Sequence, residues 1–260
     1  MRQVFSALFI AGLFFSGHGL AIAADGTAVG VKPQAEANNA GTVRTLIVGA
    51  DVFSGERVIT GRSGQVQIVF DDQTRLVVGP GSSLVIEDYL KRNNHTAGKV
   101  AIDALAGTFR FITGKSAKTA YRIKTPTGAI GVRGTAFDFT VDRRATVVML
   151  FHGAVTLCNT SGKCVALSKK CEIGSFDAGD AFVIGSGGSI STLLRQFPYA
   201  ANQTPLLRPF RVAQPSDCLP RGSDTPDSLD TSGNNGASGT GGTAPTRGTS
   251  PSTSPTGGKN

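Results

Sequence analysis

Residues Tyr121 to Val141 read Tyr-Arg-Ile-Lys-Thr-Pro-Thr-Gly-Ala-Ile-Gly-Val-Arg-Gly-Thr-Ala-Phe-Asp-Phe-Thr-Val. Successive side chains of a strand point to opposite faces. Tyr121 and Ile123 therefore fall on one face, Arg122 and Lys124 on the other. Pro126 has no N–H to donate and interrupts the ladder. Gly128, Gly131 and Gly134 then recur at every third position. Glycine inside a strand marks a bulge, a sharp bend or a close backbone approach. After Thr135 the alternation resumes, with Phe137, Phe139 and Val141 on one face. The segment predicts a strand that bends, passes a tight place and continues into a core.

The chain around it has the same grain. From Gly41 to Ile184 short alternating runs are separated by turn residues. Examples are Thr42–Val48, Gln65–Phe70, Arg75–Val78, Leu84 with Ile86, Phe109 with Phe111, and Thr146–Phe151. No long segment of period 3.6 and no fixed-length repeat interrupts them. Strands at this spacing predict an all-β domain of many short strands, a β-sandwich or an irregular β-solenoid.

Thr125-Pro126 followed by Ile130-Gly131-Val132-Arg133-Gly134-Thr135 resembles the signature of the FecR domain family. The resemblance runs from about Gly41 to Ile184. Gly61 after Val58-Ile59-Thr60, the turn at Asp71-Asp72-Gln73, Gly153-Ala154-Val155 and Ala178-Gly179-Asp180 fall in the family's order. That family often has Asp-Gly at the central turn. Asp72 stands here instead, which disfavours a two-residue turn needing positive φ and predicts a longer loop. The resemblance implies a non-catalytic β-rich module that binds or relays. Arg133 is expected either to be buried against a carboxylate or carbonyls, holding the bend, or to be an exposed ligand contact; the buried role is the favoured expectation.

The flanks differ in character. Residues 1–23 read as a secretory signal: Arg2, an apolar stretch from Val4, and Ala21-Ile22-Ala23 before a cut at Ala24. The alternative is an uncleaved anchor, and no later stretch is apolar enough to span a membrane. The family's signalling members carry a cytoplasmic segment before a membrane helix; only Met1 precedes Arg2 here, so the expectation is an exported, stand-alone domain. Residues 24–40 are small and polar and read as a linker. Residues 185–221 read as an extension with one short helix near Ser191. Residues 222–260, built of Gly, Ser, Thr, Pro and Asn, are expected to be disordered.

Cysteine and charge bound the chemistry. Cys158, Cys164, Cys171 and Cys218 lie after the signal, and an even number in an exported chain favours disulfides. Three connectivities are possible; pairing across the Asn159–Lys163 hairpin would leave Cys171 for Cys218. Their spacings do not fit the short ligand pairs of zinc sites.

The chain has a surplus of eight positive charges. Lys91, Arg92, Lys99, Arg110, Lys115, Lys118, Arg122 and Lys124 face only Asp103 in that stretch. Excluding Arg110, these residues form the expected basic partner surface, for an envelope protein or an anionic envelope polymer; the plain alternative is a solvated strand face. Nucleic acid is not expected of an exported chain. Gly114-Lys115-Ser116 lacks the leading glycine of a P-loop, and no Gly-x-Ser-x-Gly elbow is present. No cofactor, metal or catalytic residue is assigned. The reading is a periplasmic or secreted protein-binding, sensing or scaffolding module. The alternatives are a polysaccharide- or peptidoglycan-binding module and, behind it, a carbohydrate-active enzyme.

Overall fold

Runs of β-branched and aromatic residues cut by Gly, Asp and Pro turns produce fifteen strands in the computed structural model, which describes residues 24–93, 95–184, 193 and 195–219. The signal segment, the glycine-rich tail and most of the helix expected near Ser191 lie outside the described residues. The strands are β1 (Gly26–Lys32), β2 (Ala35–Asn39), β3 (Thr42–Thr45), β4 (Asp51–Val52), β5 (Arg57–Thr60), β6 (Gln65–Phe70), β7 (Arg75–Val78) and β8 (Ser83–Asn93). They continue with β9 (Thr96–Ile112), β10 (Tyr121–Thr125), β11 (Gly128–Val141), β12 (Ala145–Asn159), β13 (Cys164–Leu167), β14 (Ile173–Asp177) and β15 (Ala181–Ile184).

All of them join one open mixed sheet. Its main order is β15-β14-β12-β11-β10-β9-β7-β6-β1-β4, with β2, β3, β5, β8 and β13 branching from it. The β9–β10 pair is parallel. Where the short β10 runs out, β11 pairs β9 directly.

Residues 24–40 are not a linker: they form β1 and β2. β1 pairs β6 from Gly26↔Phe70 to Lys32↔Gln65. Ala28, Ala35 and Ala37 are fully buried. Small side chains bring these strands close to the core, so the low hydrophobicity that suggested a linker reflects tight packing instead.

The inner faces converge on one core. At its centre Phe109 and Phe111 of β9 sit directly opposite Phe139 and Phe137 of β11. The Phe109 and Phe139 rings stack at 4.9 Å and the Phe111 and Phe137 rings meet at 5.6 Å, separations at which aromatic pairs attract.

Between these phenylalanines, Arg110 and Asp138 are also opposite one another and point to the other face. They form a two-pronged ion pair at 2.6 and 2.8 Å with both side chains fully buried. Burial raises the Asp138 pKa above its ordinary value, and Arg110 works against that rise. Arg110, one of the cationic residues of the 91–124 stretch, belongs to the interior.

What buries the pair is the C-terminal extension, which acts as a strap over this outer face. Phe197, the short helix α1 (Pro198–Ala201), Leu206 and Phe210 pack on it. Arg110 also donates to Gln203 Oε1 and to the Phe210 carbonyl, and its guanidinium lies over the Phe151 ring at 5.0 Å. Tyr199 donates to Gln65 at 2.9 Å, and the Leu207 N–H donates to Gln67 at 2.8 Å. The Cys171–Cys218 disulfide ties down the far end of the strap. The Cys158–Cys164 disulfide joins directly opposed residues of β12 and β13. The pairing is thus local across the hairpin and long-range to the strap.

The central turn is longer than two residues. The Phe70 N–H donates to the Thr74 carbonyl, and Gln73 carries the positive φ of 69°. Asp72 turns inward and is fully buried. It accepts from Thr74 N–H, Ser116 Oγ and Tyr121 Oη. The residue that departs from the family's turn pattern is therefore the hub that fixes the 114–120 loop against the sheet.

Candidate functional site

The Thr-Pro element at the start of the glycine segment forms the turn between β10 and β11. Pro126 sits at the exposed β10–β11 turn, while Thr125 and Thr127 are buried. Their hydroxyls share a chain with Thr146, at 2.8 Å from Thr127 and 3.0 Å from Thr125. Gly128 follows at a close approach: a Cβ there would lie 2.1 Å from the Cys158 carbonyl oxygen.

The expected bend is a pair of compensating bulges. Arg133 pairs Ala154 but Ala136 pairs His152, so β11 carries one extra residue. Phe137 then pairs Leu150, so β12 carries the next. Gly134 occupies the first bulge at φ 68°, the left-handed region that favours glycine. Gly153 faces it at φ 85°, and a Cβ there would lie 2.2 Å from the Gly134 carbonyl oxygen. The bulges switch which residues point inward. Ile130 and Val132 are core before them; Phe137 and Phe139 are core after them.

Two expectations for this motif change. Gly131 needs no special conformation: the nearest atom to a Cβ there is 3.7 Å away. Arg133 is not buried against a carboxylate; it is exposed on the outer face with no ion pair among the described residues. The favoured structural role fails because the bulge at Gly134 comes one residue later. Up to that point β11 still alternates, and Val132, not Arg133, takes the inward position.

These corrections define the substitution series. Gly131→Ala leaves the melting temperature unchanged. Gly134→Val costs about 1–2 kcal/mol, the price of left-handed backbone in a residue with a Cβ. Gly153→Val costs more, because overpacking adds about 1–3 kcal/mol. Urea unfolding of the three variants beside wild type checks the order. A Gly131→Ala as damaging as Gly153→Val contradicts it.

On the outer face before the bulge lies a shallow groove of about 750 Å³. Its floor is made of small residues: Ala129 and Gly131 of β11 and Thr156 of β12. Lys118, Arg122 and Arg133 line it, with no carboxylate among the lining residues. Arg122 is opposite Gly131 across the β10–β11 ladder, and Arg133 is two residues further along. None of the three cations has an ion pair or side-chain hydrogen bond among the described residues. Cys158 borders the groove, so the β12–β13 disulfide braces that end.

The remaining basic residues do not form one surface with these. Lys91 pairs with Asp71 at 2.6 Å, Lys99 with Asp88 at 2.7 Å and Lys124 with Glu87 at 2.9 Å. The carboxylates come from β8 and the central turn, outside the sequence stretch in which the cations cluster. Arg92 and Lys115 are exposed but away from the groove. Neighbouring Asp103 is raised above its ordinary pKa by burial and by Glu87. Among the described residues, no group of three or more His, Cys, Asp or Glu side chains could hold a metal ion.

The fold and this groove define an all-β module with a small cationic surface that has no carboxylate among its lining residues. Residues 56–156 match the family described as FecR protein, a span that contains the whole glycine motif. This match places a FecR domain at residues 56–156 of the chain. No curated protein matches it. Among solved structures it is similar to a putative anti-sigma factor from Parabacteroides distasonis at 12% identity and a TM-score of 0.39. That match covers 49% of this chain and 57% of the other. A second crystal structure with the same description gives 13% identity, a TM-score of 0.38 and the same coverage. The chain thus spans little more than half of those proteins.

Proposed function

We propose that this protein is a non-catalytic, exported binding module whose recognition surface is the groove lined by Lys118, Arg122 and Arg133. The ligand is an extended acidic segment of a partner protein in the envelope. The carrying observation is a set of three cations, without ion pairs among the described residues, over a floor of small residues. Buried or compensated cations need no partner; exposed ones grouped without any carboxylate attract anionic groups and steer their approach. The two-residue step from Gly131 to Arg133 advances the strand by about 6.8 Å. An extended peptide shows alternate side chains at the same repeat, so successive acidic residues can meet Arg122 and Arg133. The small floor lets the peptide backbone lie close to the sheet. Two disulfides fit an oxidising compartment.

The test is fluorescence anisotropy with a labelled decapeptide of alternating Glu and Ser. Wild type binds it, more weakly as salt rises. The double variant Arg122→Glu, Arg133→Glu loses at least tenfold in affinity at an unchanged melting temperature. Charge reversal at Lys91 or Lys99, already paired with Asp71 and Asp88, changes binding little. Equal binding by wild type and the double variant defeats the assignment. Sedimentation with purified cell wall in place of peptide binding transfers the groove to the polymer reading.

A further inference from the structure

A second site lies beyond the bulges, where the strap crosses the sheet. Four neighbouring strands each contribute one residue to a straight row: Arg75 of β7, Ile112 of β9, Ala136 of β11 and His152 of β12. At about 4.8 Å per strand the row spans about 14 Å. It faces the strap, and between the two is a pocket of about 380 Å³, within the range of small-molecule sites.

The pocket is amphipathic. Ile112, Ala136 and the buried Phe151 form an apolar floor, and Val212 of the strap faces them. The rim is basic, and no carboxylate lines the cavity. Lys170 is paired with Asp217 at 2.5 Å. Arg211 donates to the Leu206 and Thr204 carbonyls, which fixes its guanidinium without cancelling the charge. Arg75 has no side-chain partner among the described residues. The strap is tied to the sheet on both sides: Arg110 donates to Gln203 and Phe210 on one, and Cys171–Cys218 holds the other.

We propose that this pocket binds a small amphipathic anion: a flat apolar body over Ile112, Ala136 and Phe151, with a carboxylate met by Arg75. Apolar surface facing water is costly, and a ligand that covers it gains in proportion to the area removed. A charge-assisted contact to Arg75 fixes the orientation. The site is distinct from the groove, which lies on the other side of the bulges and has a floor of small residues.

Isothermal titration of the full chain with 2-naphthoate, and with neutral 2-naphthamide as the matched control, tests this. The acid is expected to bind one per chain, about tenfold or more tighter than the amide. Arg75→Ala removes that preference and leaves the amide unchanged. Val212→Trp, which fills the pocket from the strap, abolishes binding of both; Ala136→Leu does the same from the sheet. Circular dichroism melts establish that each variant is folded, and Val212→Trp keeps the test intact if Ala136→Leu does not fold. Arg122→Glu, Arg133→Glu in the groove leaves 2-naphthoate binding unchanged, so failure here and failure of the groove assignment are separable. Equal affinity for acid and amide, acid binding undiminished in Arg75→Ala and Val212→Trp, or no binding of either 2-naphthoate or octanoate overturns the proposal.

Discussion

Asp138→Ala is expected to destabilise the protein by about 3–5 kcal/mol, since it leaves the Arg110 guanidinium buried with no carboxylate. In a chain of this size that lowers the melting temperature by roughly 10 °C. The loss spreads beyond one contact because Arg110 sits at a junction. It meets Asp138 across the ladder, Gln203 and Phe210 of the strap, and the Phe151 ring. Arg110→Met strands the Asp138 carboxyl instead, which burial pushes toward its neutral form, and is also expected to destabilise the protein by a few kcal/mol. The double variant Arg110→Met, Asp138→Leu recovers most of the stability, because well-packed apolar groups often replace a buried pair at little cost. Urea unfolding of the three variants decides the matter. An Asp138→Ala within 1 kcal/mol of wild type in that experiment would falsify the junction role.

The second large effect is loss of the Cys171–Cys218 bridge. Its 47-residue separation corresponds to about 4 kcal/mol in the chain-entropy view of cross-links. The Cys158–Cys164 bridge has a separation of 6 and is expected to contribute about 2 kcal/mol. Serine pairs at each bridge should separate the two by unfolding free energy. They should also differ in kind. Without Cys171–Cys218 the strap loses its end anchor, and limited proteolysis is expected to cut between Phe197 and Leu219 before it cuts the sheet. Equal losses from both serine pairs, with cleavage first inside β12–β13, would show that the strap is held without its disulfide.

Both effects concern contacts that the sequence conceals. The alternation in Gln65–Phe70 and Phe137–Val141 makes the strands legible, because burying one face of a sheet imposes a period of two. Even the cysteine pairing is partly visible, since Cys158 and Cys164 flank a hairpin. The strap is not, because Phe197, Tyr199, Leu206 and Phe210 lie among prolines at irregular spacing. Their partners are on β6, β9 and β12, far away in the chain. Arg110 and Asp138 alternate with phenylalanines just as solvent-facing residues do. Only a second layer over the sheet makes them interior, and no local pattern announces that layer.

At the end of the candidate groove, the bend at Gly134 is legible from the glycine spacing. The side that Arg133 takes depends on where the bulge begins, and no residue type marks that position. Lys118 and Arg122 were visible as basic residues. Their freedom from carboxylates was not, since Asp71, Glu87 and Asp88 reach Lys91, Lys124 and Lys99 only in three dimensions.

The compensating bulges bind two distant parts of the gene together. Arg133↔Ala154 and Phe137↔Leu150 share one register, which the extra residue on β11 breaks and the extra residue on β12 restores. A one-residue deletion at Gly134 alone would slide the second half of β11 against β12, turning Phe137 and Phe139 away from the core. A deletion near Phe151 alone would do the same to Leu150 and Val148. Single insertions or deletions at either place are therefore barred, and length can change there only when both strands change in the same step.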